Sequence, residues 1–148
     1  MRIWHKDLID ILPKQQLIGS WREVSSIAGN LQIKGTPNHL LVNKILNYDI
    51  DHFISYSYYV RQEMTHRGYK TMDKVWNKIT SLKPDWQLIG KENLFPNWPT
   101  DRYLRQCFYN LEEKYDCSGI RNEDFNKILW KLNPILNLGY EETNSWLK

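Results

Sequence analysis

Apolar side chains recur along the chain at the three- and four-residue spacing of amphipathic helices, and the alternation typical of strands is weak throughout. The first predicted helix opens at Pro13 and stops at Gly29-Asn30. Its core stripe holds five residues at helical spacing: Leu17, Ile18, Trp21, Val24 and Ala28. The pattern therefore favours a helical protein from its first long element onward.

The remaining predicted helices each have a capping residue at the start and a helix breaker at the end. They cover residues 36–46 (opening at Thr36-Pro37), 51–68 (capped by Asp51), 100–119 (opening at Thr100) and 122–134 (capped by Asn122 and ended by Pro134). Residues 81–99 carry three prolines among aromatic residues, which indicates an ordered but irregular loop. We predict an all-α fold: a compact single domain, residues 1–148, of about five helices with one long irregular loop.

The start of the chain and its cysteines limit the class of protein. Residues 1–7 carry charges where a signal peptide needs an apolar run, and no stretch has the length of a membrane span. Cys107 and Cys117 have neither metal-site spacing nor the density of a disulfide framework. We expect a cytoplasmic protein with no membrane partner and two free cysteines.

The basic excess lies in the first two-thirds of the chain. The net charge is only +3, but residues 61–91 hold seven basic and three acidic side chains, whereas residues 92–148 hold seven and nine. A basic surface there could follow a phosphate backbone, although an uneven solvated surface explains the same counts. Seven Trp and nine Tyr exceed what a core of this size needs, so some rings are expected to face a ligand or partner.

The polar face of the first helix carries the candidate chemistry. It includes Gly19, Arg22 and Glu23, and a glycine inside a helix costs about 1 kcal/mol relative to alanine. We therefore expect something to approach the backbone at Gly19. On pattern alone, Arg22 and Glu23 are two solvated residues of a surface helix.

Three stretches carry a family resemblance. The segment LPKQQLIGSWREV, residues 12–24, resembles the first helix of pyrimidine-dimer DNA glycosylases of the phage endonuclease V type. The opening MRIWHKDLI and the segment GTPNH, residues 35–39, look like a cellular branch of that family. The resemblance continues, with gaps, to Arg67-Gly68-Tyr69, and beyond that point it is loose.

The resemblance implies a nucleophile at the start of the chain. Enzymes of this family attack the sugar C1′ with the α-amine of their first residue, release the base and then cleave the strand by β-elimination. An α-amine is about 10% unprotonated at pH 7, against about 0.04% for a lysine, so it needs little activation. Because the bulk of Arg2 should block removal of the initiator methionine, Met1 is the candidate nucleophile and Arg2 the alternative.

The resemblance also assigns roles on and near the first helix. Glu23 matches the catalytic carboxylate, which stabilises positive charge on the sugar and shuttles protons, and Arg22 matches a phosphate-binding arginine. A second family arginine is replaced by Ser26. Gln16 stands where the phage enzyme has a histidine, so it is a hydrogen-bonding substrate contact that cannot titrate. His5 is a possible auxiliary group, although a structural role is the alternative.

The expected partner is damaged double-stranded DNA, bound through Arg22, Arg2, Lys6 and part of the 61–91 segment. No cofactor is implied, and the histidines lack the spacing of a metal site. A monomer is favoured. The carboxyl-terminal aromatic residues Tyr140 and Trp146 only approximate the family's DNA-contacting tail.

Two other functions fit the sequence. In one, the helices from Thr36 and Asp51 form a helix-turn-helix pair of a non-catalytic DNA-binding protein, although residues 35–60 offer only Lys44 as a positive charge. In the other, the chain is a small helical interaction domain without nucleic acid. Steep loss of DNA binding with salt would argue against the latter.

Overall fold

A computed structural model of the protein describes residues 2–37 and 39–140, and all regular secondary structure within those ranges is helical. The α-helices are α1 (Lys14–Lys34), α2 (Ile50–His66), α3 (Asp73–Thr80), α4 (Asp101–Asp116) and α5 (Asn122–Leu136). Three short 3₁₀ helices, Lys6–Leu8, Val42–Asn47 and Lys91–Asn93, lie between or before them. The predicted all-α fold of about five helices is confirmed.

One hydrophobic core runs from the first residues described to α5. α1 packs against α2 and α3, α4 packs against α5, and each contributes buried apolar side chains to a single cluster. At the α4–α5 contact the rings of Tyr115 and Phe125 stack with centroids 4.0 Å apart. Burying a side chain such as Phe125 stabilises the fold by about 2–3 kcal/mol. Ile3 and Trp4 belong to the same cluster, so the start of the chain is held inside the fold.

The loop predicted at residues 81–99 is irregular, and aromatic packing orders it. Phe95 and Trp98 are buried. The Phe95 N–H donates to His52 Nδ1 at 3.0 Å, and the Tyr48 hydroxyl donates to the Pro96 carbonyl at 2.7 Å. These contacts fix the path by which the chain enters α4.

The predicted stop of the first helix at Gly29-Asn30 is wrong. α1 continues to Lys34 and ends at Gly35, whose φ of 70° lies in the left-handed region that favours glycine. Contacts with α3 and its C-cap hold the extra turn: Gln32 Nε2 donates to the Lys78 carbonyl at 3.2 Å and to Ser81 Oγ at 2.7 Å. Tertiary contacts thus outweigh the local preference of a Gly-Asn pair.

The predicted helix over residues 36–46 is also wrong, because only Val42–Asn47 is helical and it is a 3₁₀ helix. Thr36 does not cap it and instead bonds to the side chain of Asn43 at 3.2 Å. α3 was not predicted, since its eight residues are mostly polar or exposed and only Ile79 is buried.

The remaining boundaries moved by a few residues. α2 is capped by Asp49, not Asp51. The N-cap of α5 is Arg121, not Asn122, and α5 runs through Pro134 to Leu136. The cap of α4 at Thr100 is confirmed: its side chain accepts the Tyr103 N–H at 3.2 Å. No helix among the described residues combines the length and the apolar content needed to cross a membrane.

Candidate active site

Glu23 lies next to the start of the chain. Its half-buried carboxylate accepts the backbone N–H of Arg2 at 2.9 Å. The two residues are 21 positions apart, so the fold, not local sequence, brings them together. Met1, the predicted nucleophile, is outside the described residues.

Two further helices fix the backbone that follows Arg2. The Tyr103 hydroxyl, from α4, donates to the Ile3 carbonyl. The Tyr56 hydroxyl, from α2, donates to the Trp4 carbonyl at 3.0 Å. Three consecutive residues, Arg2 to Trp4, are therefore held by α1, α4 and α2 in turn.

Both tyrosines are reliable donors. Burial raises the pKa of the Tyr103 hydroxyl, and it raises the pKa of Tyr56 well above the ordinary tyrosine value. Each hydroxyl therefore keeps its proton at any physiological pH. A neutral hydroxyl donates to a carbonyl oxygen, whereas a phenolate could not.

The Arg2 side chain contacts the protein itself. Its guanidinium lies over the Trp4 ring, 5.5 Å from the centroid. Its positive charge also lowers the pKa of Tyr103 and of Cys107, partly offsetting the larger rise that burial causes in each. Arg2 is partly exposed, so its role as a substrate contact stays a prediction.

Arg22 and Gln16 share α1 with Glu23. Arg22 is exposed, and it has no carboxylate within ion-pair distance among the described residues. Gln16 lies two turns before Glu23, about 10 Å along the helix. Its Oε1 atom is buried and has no hydrogen-bond partner in the described part of the chain. A buried acceptor without a partner is costly, and such an atom is a candidate for a ligand contact.

Gly19 lies on the same helix, and no described residue outside the helix's own backbone approaches it. A Cβ built there meets no atom within 4 Å. The space beside the Gly19 backbone, where we expected a contact, is therefore not filled by any described residue.

His5 is buried, with 3% of its surface exposed. Its Nδ1 atom accepts the Asp7 N–H at 3.1 Å and so caps the first 3₁₀ helix. Burial lowers its pKa despite the nearby Asp7 carboxylate, which favours the neutral ring that this bond requires. The structural role is sufficient to explain the residue, and a catalytic one stays a prediction.

The basic segment 61–91 is less free than its charge suggests. Arg61 pairs with Asp73 at 2.7 Å, and Arg67 pairs with Glu63 at 2.8 Å. Lys83 lies between two carboxylates of the α2 amino terminus, 3.1 Å from the nearer one. Because these three cations are paired with carboxylates of the fold, fewer basic side chains of the segment remain to meet a phosphate backbone.

The aromatic tail is only partly described. Tyr140 packs against Phe108 and Phe125 and donates its hydroxyl proton to Glu112, so it belongs to the α4–α5 core. Trp146, Leu147 and Lys148 lie outside the described residues.

Sequence reasoning missed Tyr56 and Tyr103 as parts of the site. Their spacing marks both as buried helical positions, and nothing in the order of residues links either one to Ile3 or Trp4. Only the packing of α2 and α4 on the start of the chain shows the connection.

The fold and the site define a class: an all-helical protein whose candidate active site forms where the start of the chain meets a glutamate of its first long helix. The family model described as pyrimidine dimer DNA glycosylase matches residues 1–77, just over half of the chain. The chain belongs to that family, and it is a DNA repair glycosylase whose substrate is DNA. Searches of curated proteins and of solved structures gave no match.

Proposed function

We propose that this protein is a bifunctional enzyme, a DNA glycosylase with abasic-site lyase activity, that acts on pyrimidine dimers or related damaged bases in duplex DNA. The nucleophile is the α-amine of residue 1, and Glu23 is the catalytic carboxylate. The observation that carries the proposal is the 2.9 Å bond between the Arg2 N–H and Glu23 Oε2. In any polypeptide the nitrogen of one residue lies within about 4 Å of the next residue's nitrogen. This short covalent distance is the reason that a bond at the Arg2 N–H bears on an amine at residue 1.

The proposed reaction begins at C1′ of the damaged nucleotide. The amine forms a bond to C1′ as the bond from C1′ to the base nitrogen breaks, and the base leaves with the bonding electrons and a proton. Opening of the sugar ring then gives a protonated Schiff base between C1′ and the amine. Glu23 stabilises the developing positive charge and carries the protons of these steps.

Strand cleavage follows by β-elimination. A base, for which Glu23 is placed, removes a proton from C2′, and the bond from C3′ to its oxygen breaks with the 3′ phosphate as leaving group. Water then hydrolyses the Schiff base and frees the amine. Arg22, exposed beside Glu23, is proposed to hold a backbone phosphate during these steps. No step requires a metal or a cofactor.

Either form of the amino terminus serves this chemistry. With Met1 retained, the nucleophile precedes the nitrogen that bonds to Glu23. With Met1 removed, the Arg2 nitrogen itself becomes the α-amine, and it already lies 2.9 Å from the carboxylate. Mass spectrometry of the intact protein decides between the two.

The carboxyl-terminal half takes part in the same unit. Tyr103 of α4 lies beyond the matched residues 1–77 and bonds to Ile3. We therefore propose that residues 1–148 act as one glycosylase domain and that it works in the cytoplasm. The helix-turn-helix alternative is weaker, because its first helix is a 3₁₀ helix of six residues.

The variant Glu23→Gln tests the proposal. Gln keeps the size of the side chain but neither stabilises a cation nor moves protons, so cleavage of ultraviolet-irradiated duplex should fall by about 100-fold or more. The matched control is Glu113→Gln, which removes an exposed carboxylate near the end of α4 and should cleave like wild type. Unchanged cleavage in the Glu23 variant would refute the mechanism.

A further inference from the structure

A pocket lies beside the candidate active site, where the chain enters α4. It has a volume of about 420 Å³ and is lined by the 3₁₀ helix Val42–Asn47, the end of the irregular loop and the first turns of α4. The lining residues that matter here are Lys44, Asn47, Tyr48, Trp98, Arg102 and Tyr103. We call it the Lys44–Arg102 pocket.

The pocket is positively charged. Lys44 and Arg102 are both exposed, and neither has a carboxylate within ion-pair distance among the described residues. No lining residue is acidic; Asp101, in the first turn of α4, is exposed and outside the lining. In contrast to Arg61, Arg67 and Lys83, these two cations are not neutralised within the described fold.

The walls of the pocket are already in place. Tyr48 and Trp98 lie nearly parallel, at 11° with centroids 6.4 Å apart, and the Tyr48 hydroxyl bonds to the Pro96 carbonyl. Trp98 is 6% exposed, and Lys44 Nζ lies 5.9 Å from its ring centroid. A preformed pocket avoids part of the ordering cost of binding.

One wall connects the pocket to the active site. Tyr103 is one of the residues that line the pocket, and its hydroxyl donates to the Ile3 carbonyl. We therefore expect a DNA strand bound at the start of the chain to reach Lys44 and Arg102.

We propose that the Lys44–Arg102 pocket binds a backbone phosphodiester of the substrate DNA, outside the nucleotide that reacts. Arg102 supplies a planar pair of donors and Lys44 a compact charge, which together suit phosphate oxygens. The side-chain amide of Asn47 offers a further donor to phosphate or sugar. This inference rests on the proposed function only in taking damaged duplex DNA as the substrate.

The test measures binding without chemistry. The double variant Lys44→Ala/Arg102→Ala is titrated with a duplex that carries a tetrahydrofuran abasic analogue, which cannot form a Schiff base, at salt from about 50 to 200 mM. Both cations are proposed to bind the same phosphodiester, so the double variant loses one phosphate contact, and the slope of log K against log salt should fall by about 0.9. Affinity at low salt should fall by about 10-fold or more.

A matched control removes the same charge elsewhere. Lys114→Ala/Lys127→Ala deletes two exposed lysines, one about 18 Å from Arg102 along α4 and one on α5, and should leave the slope unchanged. All four side chains are exposed, so the thermal melting temperatures of both double variants should equal that of wild type.

Single-turnover borohydride trapping on reactive damaged duplex separates this inference from the proposed function. At saturating enzyme the pocket variant should trap as much DNA as wild type. If wild type forms the trapped adduct but the pocket variant binds with an unchanged salt slope, the phosphate site is overturned and the proposed function is not. Reduced trapping at saturation would also overturn it, because the pair would then act in the chemistry. A wild-type protein that traps nothing refutes the proposed function.

Discussion

Tyr103 connects the second half of the chain to the chemistry of the first. Its hydroxyl is buried, stays protonated and bonds to the Ile3 carbonyl, two residues from the proposed nucleophile. Reacting groups lose rate steeply when they are misplaced by an ångström. We therefore expect Tyr103 to act on the reaction by positioning the backbone at Ile3.

Removing the Tyr103 hydroxyl should slow strand cleavage clearly and lower the free energy of unfolding only slightly. Tyr103→Phe should lower kcat for strand cleavage by about 10-fold or more with little change in KM, and should reduce the free energy of unfolding by about 1 kcal/mol. The control Tyr115→Phe deletes a similar bond, 2.8 Å to Asn122, far from the site. It should show the stability loss without the kinetic one; equal kinetics in both variants would contradict the positioning role.

His5 gives the fold a pH dependence. Because burial depresses its folded-state pKa, the unfolded chain binds a proton more readily, so its contribution to stability is present above the ordinary value of 6.5 and is lost as pH falls below it. Each unit of depression is worth about 1.4 kcal/mol.

The variant His5→Asn keeps an acceptor for the Asp7 N–H but does not titrate. Urea unfolding at about pH 7.5 and 5.5 should show wild type losing more stability over this interval than the variant does. An equal loss in both would mean that His5 is not responsible.

Glu23, Arg22 and Gln16 became candidates through a family resemblance in α1. The structure brings Glu23 next to Arg2, and the catalytic role of Glu23 stays a prediction. Tyr103 and Tyr56 could not be found that way. A tyrosine at a buried helical position looks the same whether its hydroxyl meets water, a side chain or a distant backbone carbonyl.

α1 contains two interior glycines that allow a matched comparison. A Cβ at Gly19 meets nothing within 4 Å, and one at Gly29 meets only the flexible end of Lys78 at 3.9 Å. Alanine at either position should therefore stabilise the protein by about 0.5–1 kcal/mol, because it reduces the entropy lost when the helix forms.

The affinity for damaged DNA should distinguish a substitution at Gly19 from one at Gly29. Gly19 lies on the polar face of α1 near Glu23, so Gly19→Ala should weaken binding to damaged duplex if DNA approaches the backbone there, and Gly29→Ala should not. Thermal melting and a binding titration check both effects. Gly19→Ala with wild-type affinity would show that the glycine serves no contact.

Long periodic helices were predictable, and short or tertiary-dependent ones were not. α2, α4 and α5 were found within a few residues because each has a strong apolar stripe and a capping signal. α3 buries only Ile79, and the last turn of α1 exists because α3 packs beside it. The information for both lies in contacts between segments that are far apart in sequence.

The molecule as a whole is organised around the start of its chain. α1 supplies the carboxylate, α2 and α4 hold the next two residues, and the loop before α4 brings the Lys44–Arg102 pocket beside them. The family match covers residues 1–77, yet two of these contributions come from beyond it. The carboxyl-terminal half is thus expected to be needed for activity, not only for folding.

The most direct test of this account is the position of the covalent adduct. Wild-type protein is incubated with damaged duplex and borohydride, which reduces a Schiff base to a stable amine, and the trapped peptide is sequenced by tandem mass spectrometry. The account predicts one adduct, on the α-nitrogen of Met1, or of Arg2 if Met1 is removed. An adduct on a lysine side chain such as Lys6, or strand cleavage with no adduct at all, would contradict it.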